Sequence, residues 1–258
     1  MAIWQDPRTT GRTDGVSTAT VGVPSVTRDA GLRSYMLSVY NYMASGVLLT
    51  GIVALLFANS PFFATAFHVV QTAQGTVVQP NLLGWVITFA PLAVVMLMSF
   101  GGSRMQTSTV QALFWGFAVL MGLSLSTILF AYTGVSIAQT FFATAAAYLG
   151  LSVWGYMTKR DLSGLGTFLI MGVVGLIVAM VLNLFLRSPG LDLAISAIGV
   201  LIFAGLTAYD TQRIKSIYFT VAGNGEALAR SAIYGALQLY LDFINMFLFL
   251  LRFMGDRR

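Results

Sequence analysis

The chain has 258 residues, of which 57% are hydrophobic and 9% charged, and it carries a formal charge of +5 at pH 7. Soluble domains hold roughly 25% charged residues, so this composition excludes a soluble domain and identifies an integral membrane protein. The absence of cysteine excludes disulfides, thiol catalysis and thiolate metal sites, and the basic residues lie mostly in the N-terminal segment and between apolar runs, which fits a topology signal and not nucleic-acid binding.

Residues 1–30 are rich in Thr, Gly, Ser and Arg and contain no apolar h-region, so they read as a disordered cytoplasmic tail and not as a cleaved secretory signal. Residues 31–258 read as a single transmembrane domain. Seven apolar runs follow in order, at Tyr35–Ala58, Leu82–Phe100, Val110–Ala131, Ile137–Met157, Leu165–Leu186, Leu193–Ile214 and Ala232–Phe253. Each is close to the roughly 20 residues with which a helix crosses a hydrocarbon layer about 30 Å thick. Barrel strands would be half that length and alternating. Turn signals separate the runs: Asn59-Ser60-Pro61, Gly101-Gly102-Ser103, Thr133-Gly134, Ser163-Gly164, Ser188-Pro189-Gly190 and Gly223-Asn224-Gly225.

Within this series, His68 is the only histidine and is expected to be solvated in the loop after the first span. Pro91 is expected to kink the second span. Ala145, Ala146, Gly150 and Gly155 in the fourth, and Gly172, Gly175 and Ala179 in the fifth, are small residues that let helices approach closely. Ser188 suits the N-cap of the sixth helix, with Pro189 at its first position and Asp192 in its first turn, where the helix dipole favours negative charge.

Orientation follows from the cations. With the N-terminus inside, ten Lys and Arg lie on the cytoplasmic side and four, Arg187, Arg252, Arg257 and Arg258, on the other. Seven spans then place the C-terminus outside, where three arginines are poorly accommodated. Six spans with one re-entrant segment would relieve that tension and stay open as the alternative.

The last two spans each contain a carboxylate, Asp210 and Asp242. A charged side chain at bilayer depth costs about 2.5 to 3.5 kcal/mol on insertion scales, so each needs a partner, a proton or a water-lined cavity. In the seventh span Ser231, Tyr234, Gln238, Asp242 and Asn245 recur at steps of three or four and mark one face. In the sixth, Asp192, Ser196, Gly199, Phe203, Thr207 and Asp210 do the same. The two faces are expected to bury each other. The midpoint between the aspartates is Glu226, beside the Gly223-Asn224-Gly225 turn, so an even hairpin brings them level, about 16 Å in from Ser231 at 1.5 Å per residue.

Two carboxylates in hydrogen-bonding contact in a dry site tend to share a proton and titrate together. The same pair offers Ca²⁺ a transient site, to which Asn245, Gln238 and Thr207 add neutral oxygens. Arg213, one turn from Asp210, is a competing partner for it. Other chemistries fit less well. A retinal protein needs a lysine inside a span, whereas Lys159 and Lys215 lie in or beside connections; a rhomboid-like protease needs an intramembrane histidine. An intramembrane aspartyl protease matches Tyr209-Asp210 but requires Gly-x-Gly-Asp where this chain has Tyr240-Leu241-Asp242. No enzyme is expected.

Ala208-Tyr209-Asp210-Thr211-Gln212-Arg213-Ile214-Lys215 and Ala236-Leu237-Gln238-Leu239-Tyr240-Leu241-Asp242-Phe243-Ile244-Asn245-Met246-Phe247 resemble the signature of the Bax inhibitor-1 family, in its bacterial branch. Gly155-Tyr156-Met157-Thr158-Lys159-Arg160-Asp161-Leu162-Ser163 and Tyr40-Asn41-Tyr42-Met43-Ala44-Ser45-Gly46 are similar to its pattern too. The resemblance implies an all-α fold of seven transmembrane helices with the last one central. It also implies a bacterial inner-membrane protein that leaks Ca²⁺ in a pH-sensitive way, with Asp210 and Asp242 as the sensor. Lipid, protons and Ca²⁺ as permeant ion are the partners so implied, with no resident cofactor. Some bacterial members are instead associated with a membrane-bound protease, so a non-conducting regulator is the alternative. The chain departs from the pattern in having no arginine within the second span; Arg104, just past it, and Arg213 are the candidate substitutes for latch support.

Overall fold

The computed structural model describes residues 25–72, 75–101 and 105–258. The chain folds in the order α1 (Ser25–Ala58), α2 (Phe63–Ala66), β1 (Phe67–Thr72), β2 (Gly75–Pro80), α3 (Leu82–Gly101), α4 (Thr107–Leu125), α5 (Ile128–Ala131), α6 (Gly134–Met157), α7 (Ser163–Leu186), α8 (Pro189–Val221) and α9 (Gly225–Met254). Seven helices are long and apolar enough to cross a membrane, with α4 and α5 counted as one. They match the seven runs of the sequence, so the re-entrant alternative falls away. Two details differ. Helix α1 begins at Ser25, inside the segment expected to be tail, whose residues 1–24 lie outside the described part. Helix α8 continues seven residues past its apolar run to Val221. Pro91 lies inside α3, where the sequence placed it.

The third difference in kind is a β-hairpin where a loop was expected. Strands β1 and β2 are antiparallel, with Val69 opposite Val78, Val70 opposite Val77 and His68 opposite Gln79. Paired valines on both sides of Gly75 explain it, since β-branched side chains favour a pleated ladder. His68 is therefore a strand residue, though exposed as anticipated. The base of the hairpin is anchored by Phe63, Ala66 and Phe67, and the Phe63 ring stacks on Phe130 at 4.5 Å.

The chain's last residues tie the same end together. Thr133 N donates to Asp256 O at 3.1 Å, Arg258 N to Ala131 O at 3.0 Å and Thr76 N to Arg258 O at 2.9 Å. Asp256 N donates to Ser136 Oγ at 2.8 Å. Nearby, Arg252 and Arg257 each pair with Asp192 at 3.7 Å. Asp192 thus eases the crowding of arginines: it sits in the first turn of α8, behind the Ser188 cap and Pro189, and pairs with two of them, offsetting one of their charges.

At the centre stands α9. In its apolar window 67% of the residues are buried, against 11% for α7. Its most extensive interface is with α8, and α1, α4 and α6 also pack on it. Gly155 makes the closest helix approach, for a Cβ there would lie 2.9 Å from the Ala208 Cα of α8. Gly172 likewise faces Ile202, whereas Gly150 and Gly175 have open space beside them.

Candidate functional site

The geometry begins at the α8–α9 turn. Asn224 caps α9 by accepting from Ala227 N at 3.0 Å, which reverses the chain sharply after Ala222. Two glycine contacts then fix the register of the antiparallel pair: a Cβ on Gly235 would meet Ile214 at 3.2 Å, and one on Gly199 would meet the Phe249 ring at 2.6 Å. Asp210 and Asp242 lie between these contacts. They are 3% and 4% exposed, and their carboxyl groups lie close enough to interact directly. Gln238, one turn before Asp242, lies near Asp210 as well. One oxygen of each carboxyl, Asp210 Oδ1 and Asp242 Oδ2, is fully buried without a partner.

The supporting residues divide. Thr207 is wholly buried one turn from Asp210 and its hydroxyl donates to Phe203 O at 2.8 Å. Asn245 turns its amide to Leu241 O on its own helix at 2.8 Å. Tyr234, on the stripe expected to face α8, instead donates to Met98 O of α3 at 3.0 Å, because α9 is enclosed on several sides and its polar residues are shared among several neighbours. Arg213 is exposed and lies with Lys159 and Arg160 around a depression of about 320 Å³. Its charge reaches Asp210 through space, but among the described residues the two form no ion pair. Arg104 lies outside the described residues.

Residues not singled out from sequence surround the pair. Thr211 Oγ1 donates to Thr207 O at 2.8 Å and contacts Ser152 Oγ of α6 at 3.1 Å. Ser152 in turn hydrogen-bonds the Tyr40 hydroxyl of α1. Tyr148, one turn before Ser152, is 3% exposed and lies near enough to both aspartates to interact electrostatically with each. Its hydroxyl is buried without a partner. The signal was present: Ser136, Thr140, Thr144, Tyr148 and Ser152 recur at every fourth residue of α6, and all are buried. On a helix that spacing is a polar seam, masked in the sequence by the more numerous alanines and glycines.

The end of the bundle nearest Arg213 is held rigidly. Gln212 accepts from Leu162 N at 2.9 Å and donates to Arg160 O at 2.8 Å, and Lys215 donates to Tyr156 O at 2.8 Å. Asp161 accepts from Ser163 N at 2.9 Å and Ser163 Oγ at 2.6 Å, and these two bonds hold its carboxyl below the ordinary carboxylate range.

Such a site can hold a shared proton. Ca²⁺ takes six to eight oxygens, and among the described residues no third acidic, His or Cys side chain joins the two aspartates. Two carboxylates with Gln238 and Thr207 suit a passing cation better than a resident one.

Known proteins are similar to this chain over most of its length. The family model described as inhibitor of apoptosis-promoting Bax1 matches residues 32–258. Protein RP147 of Rickettsia prowazekii is 46% identical, over 95% of this chain and 99% of that protein. A Caulobacter vibrioides protein is 46% identical over 89% of this chain and 91% of its own length. Inner membrane protein YbhL of Escherichia coli K12 is 42% identical over 89% of this chain and 94% of its own length.

Proposed function

The chain belongs to the Bax inhibitor-1 family, and from that premise we propose that it is a pH-sensitive Ca²⁺ leak of a bacterial inner membrane, gated by Asp210 and Asp242. The observation that carries this reading is the pair itself: two carboxyl groups, almost wholly buried, set close to each other across the largest helix interface of a seven-span bundle. Because two adjacent carboxylates in a dry site resist double ionisation, one proton holds them together as a bridge between α8 and α9. Loss of that proton leaves two like charges facing each other, which drives the helices apart and at the same time presents a cation-attracting mouth. Gln238 and Thr207 supply the neutral oxygens beside it. The N-terminus is assigned to the cytoplasm and the C-terminus to the periplasm, since ten of the fourteen cations lie in the N-terminal segment and the connections at the Arg213 end.

Ca²⁺ flux into liposomes carrying the purified protein, measured across pH, tests the reading. Asp210→Asn and Asp242→Asn keep hydrogen-bonding capacity without the titratable charge, so each is expected to abolish most of the pH dependence. Unchanged flux and pH dependence in both variants would overturn the latch. Flux no greater than in protein-free liposomes at every pH would overturn the leak and leave the non-conducting regulator of a membrane-bound protease standing.

A further inference from the structure

Where α6 gives way to α7, three cations gather around the depression of about 320 Å³ that faces α8. Lys159, Arg160 and Arg213 are all exposed there, and among the described residues none of them forms an ion pair. The one carboxylate in the depression, Asp161, already accepts two hydrogen bonds from Ser163. Three positive charges against one negative make it an anion site. On α8 its lining residues Tyr209, Gln212 and Ser216 continue, at helical steps of three or four through Gly205, the row Ile198, Leu201 and Ile202. That row lines a second hollow, an apolar trough of about 550 Å³ between α7 and α8. Between the two hollows the helices touch, Gly166 against the Tyr209 ring and Gly205 against Leu169. The trough begins at Phe168, about 7.5 Å beyond Ser163 at 1.5 Å per residue, and runs about 16 Å further to Ala179. That length is half of a hydrocarbon layer about 30 Å thick. Phe168 and Leu201 on its rim are exposed, and Gly175 leaves open space within it. A cationic cup followed by an apolar trough one leaflet deep fits a molecule with an anionic head and an acyl chain.

We propose that the depression and the trough together bind one anionic phospholipid, its phosphodiester among Lys159, Arg160 and Arg213 and one acyl chain along the trough from Phe168 towards Ala179. Basic pockets between membrane helices hold anionic headgroups by charge, and here the trough adds a seat for the chain. The site lies on the α7 side of α8, whereas α9 takes the side of Gly199, Phe203 and Ile214, so it stands apart from the aspartate pair and does not depend on Ca²⁺ conduction. Helix α7 is the least buried of the seven spans and has α8 as its main neighbour. The lipid gives it a second contact.

Native mass spectrometry of the protein in detergent, titrated with phosphatidylglycerol, phosphatidylcholine or inorganic phosphate, tests this. One phosphatidylglycerol per chain is expected to be held at least about tenfold more tightly than phosphatidylcholine. Lys159→Gln combined with Arg160→Gln is expected to bring it down to the phosphatidylcholine level. Arg187→Gln, which removes an exposed cation at the opposite end of α7, is expected to change nothing. Gly175→Leu fills the trough without a clash and is expected to weaken both lipids several-fold while keeping the ratio between them. Inorganic phosphate is expected not to displace phosphatidylglycerol. Equal retention of the two lipids, or a preference that survives the paired Lys159 and Arg160 changes, overturns the headgroup site. Displacement by phosphate at equal concentration, or full lipid binding by Gly175→Leu, makes the depression a free-anion site and overturns the lipid.

Discussion

Four aspartates in this chain show how environment assigns a carboxylate its task. Asp161 is exposed, in the α6–α7 connection, and is held ionised by Ser163. Since its folded-state pKa is lowered, its contribution to the stability of that turn is fully present above the unfolded pKa and is lost only as pH falls through the lower folded value. Protection of the first amides of α7 against hydrogen exchange, taken relative to the intrinsic rate at each pH, is therefore expected to be flat between about pH 5 and 8 and to fall only in stronger acid, whereas Asp161→Ala lowers it at neutral pH. A near-neutral transition there in the unaltered protein would refute this assignment. Asp192 could be read from sequence only as far as its helix dipole; its pairing with Arg252 and Arg257 joins residues far apart in the chain, and no local pattern announces that. Asp210 and Asp242 were legible because a carboxylate inside an apolar run is costly wherever it falls. Tyr148 was not, because a tyrosine in a membrane helix is cheap and draws no notice until its neighbours are known.

Helices announce themselves by length and hydropathy, which is why seven spans could be placed from composition alone. How they meet is decided by smaller features. Gly155 and Gly150 are alike in sequence, yet only Gly155 lies against the backbone of α8 at Ala208. Gly155→Ala is expected to destabilise the bundle by about 1 to 3 kcal/mol, the usual cost of overpacking. Gly150→Ala, with open space at its Cβ, is expected to be neutral or to stabilise by up to about 1 kcal/mol through helix propensity. Thermal unfolding in detergent, followed by the four tryptophans, separates the two; equal midpoints would show that α6 does not seat on α8 at Ala208. The hairpin escaped sequence reading for a related reason. Val69-Val70 and Val77-Val78 are strand-forming, but so short a run between two long apolar helices is overshadowed by them.

As a whole, the molecule is closed at one end by its own C-terminus. The backbone bonds of Ala131, Thr133 and Thr76 to residues 256–258, with Asp256 on Ser136, join the hairpin, α5 and α6 through four hydrogen bonds. Each contributes about 1 kcal/mol, so removing residues 255–258 is expected to make local opening of that end at least about tenfold more frequent. Limited proteolysis within residues 67–80 should report it, with the seven spans still intact. A cleavage rate equal to that of the full chain would mean that the hairpin is held by Phe63, Phe67 and Phe130 alone.

The central position of α9 carries a consequence for how the protein is made. The helix that fills the middle of the bundle is made after the six spans around it, so those spans are already in the bilayer before their common core exists. During that interval Ser152, Thr211 and Asp210 face either lipid or whatever insertion machinery shields them, and the nascent bundle is a hollow ring. Completion is then a single event: insertion of α9 fills the ring. A ribosome that stalls short of Asp242 leaves in the membrane a full set of walls around an unfilled polar seam, a product that quality-control proteases are suited to recognise.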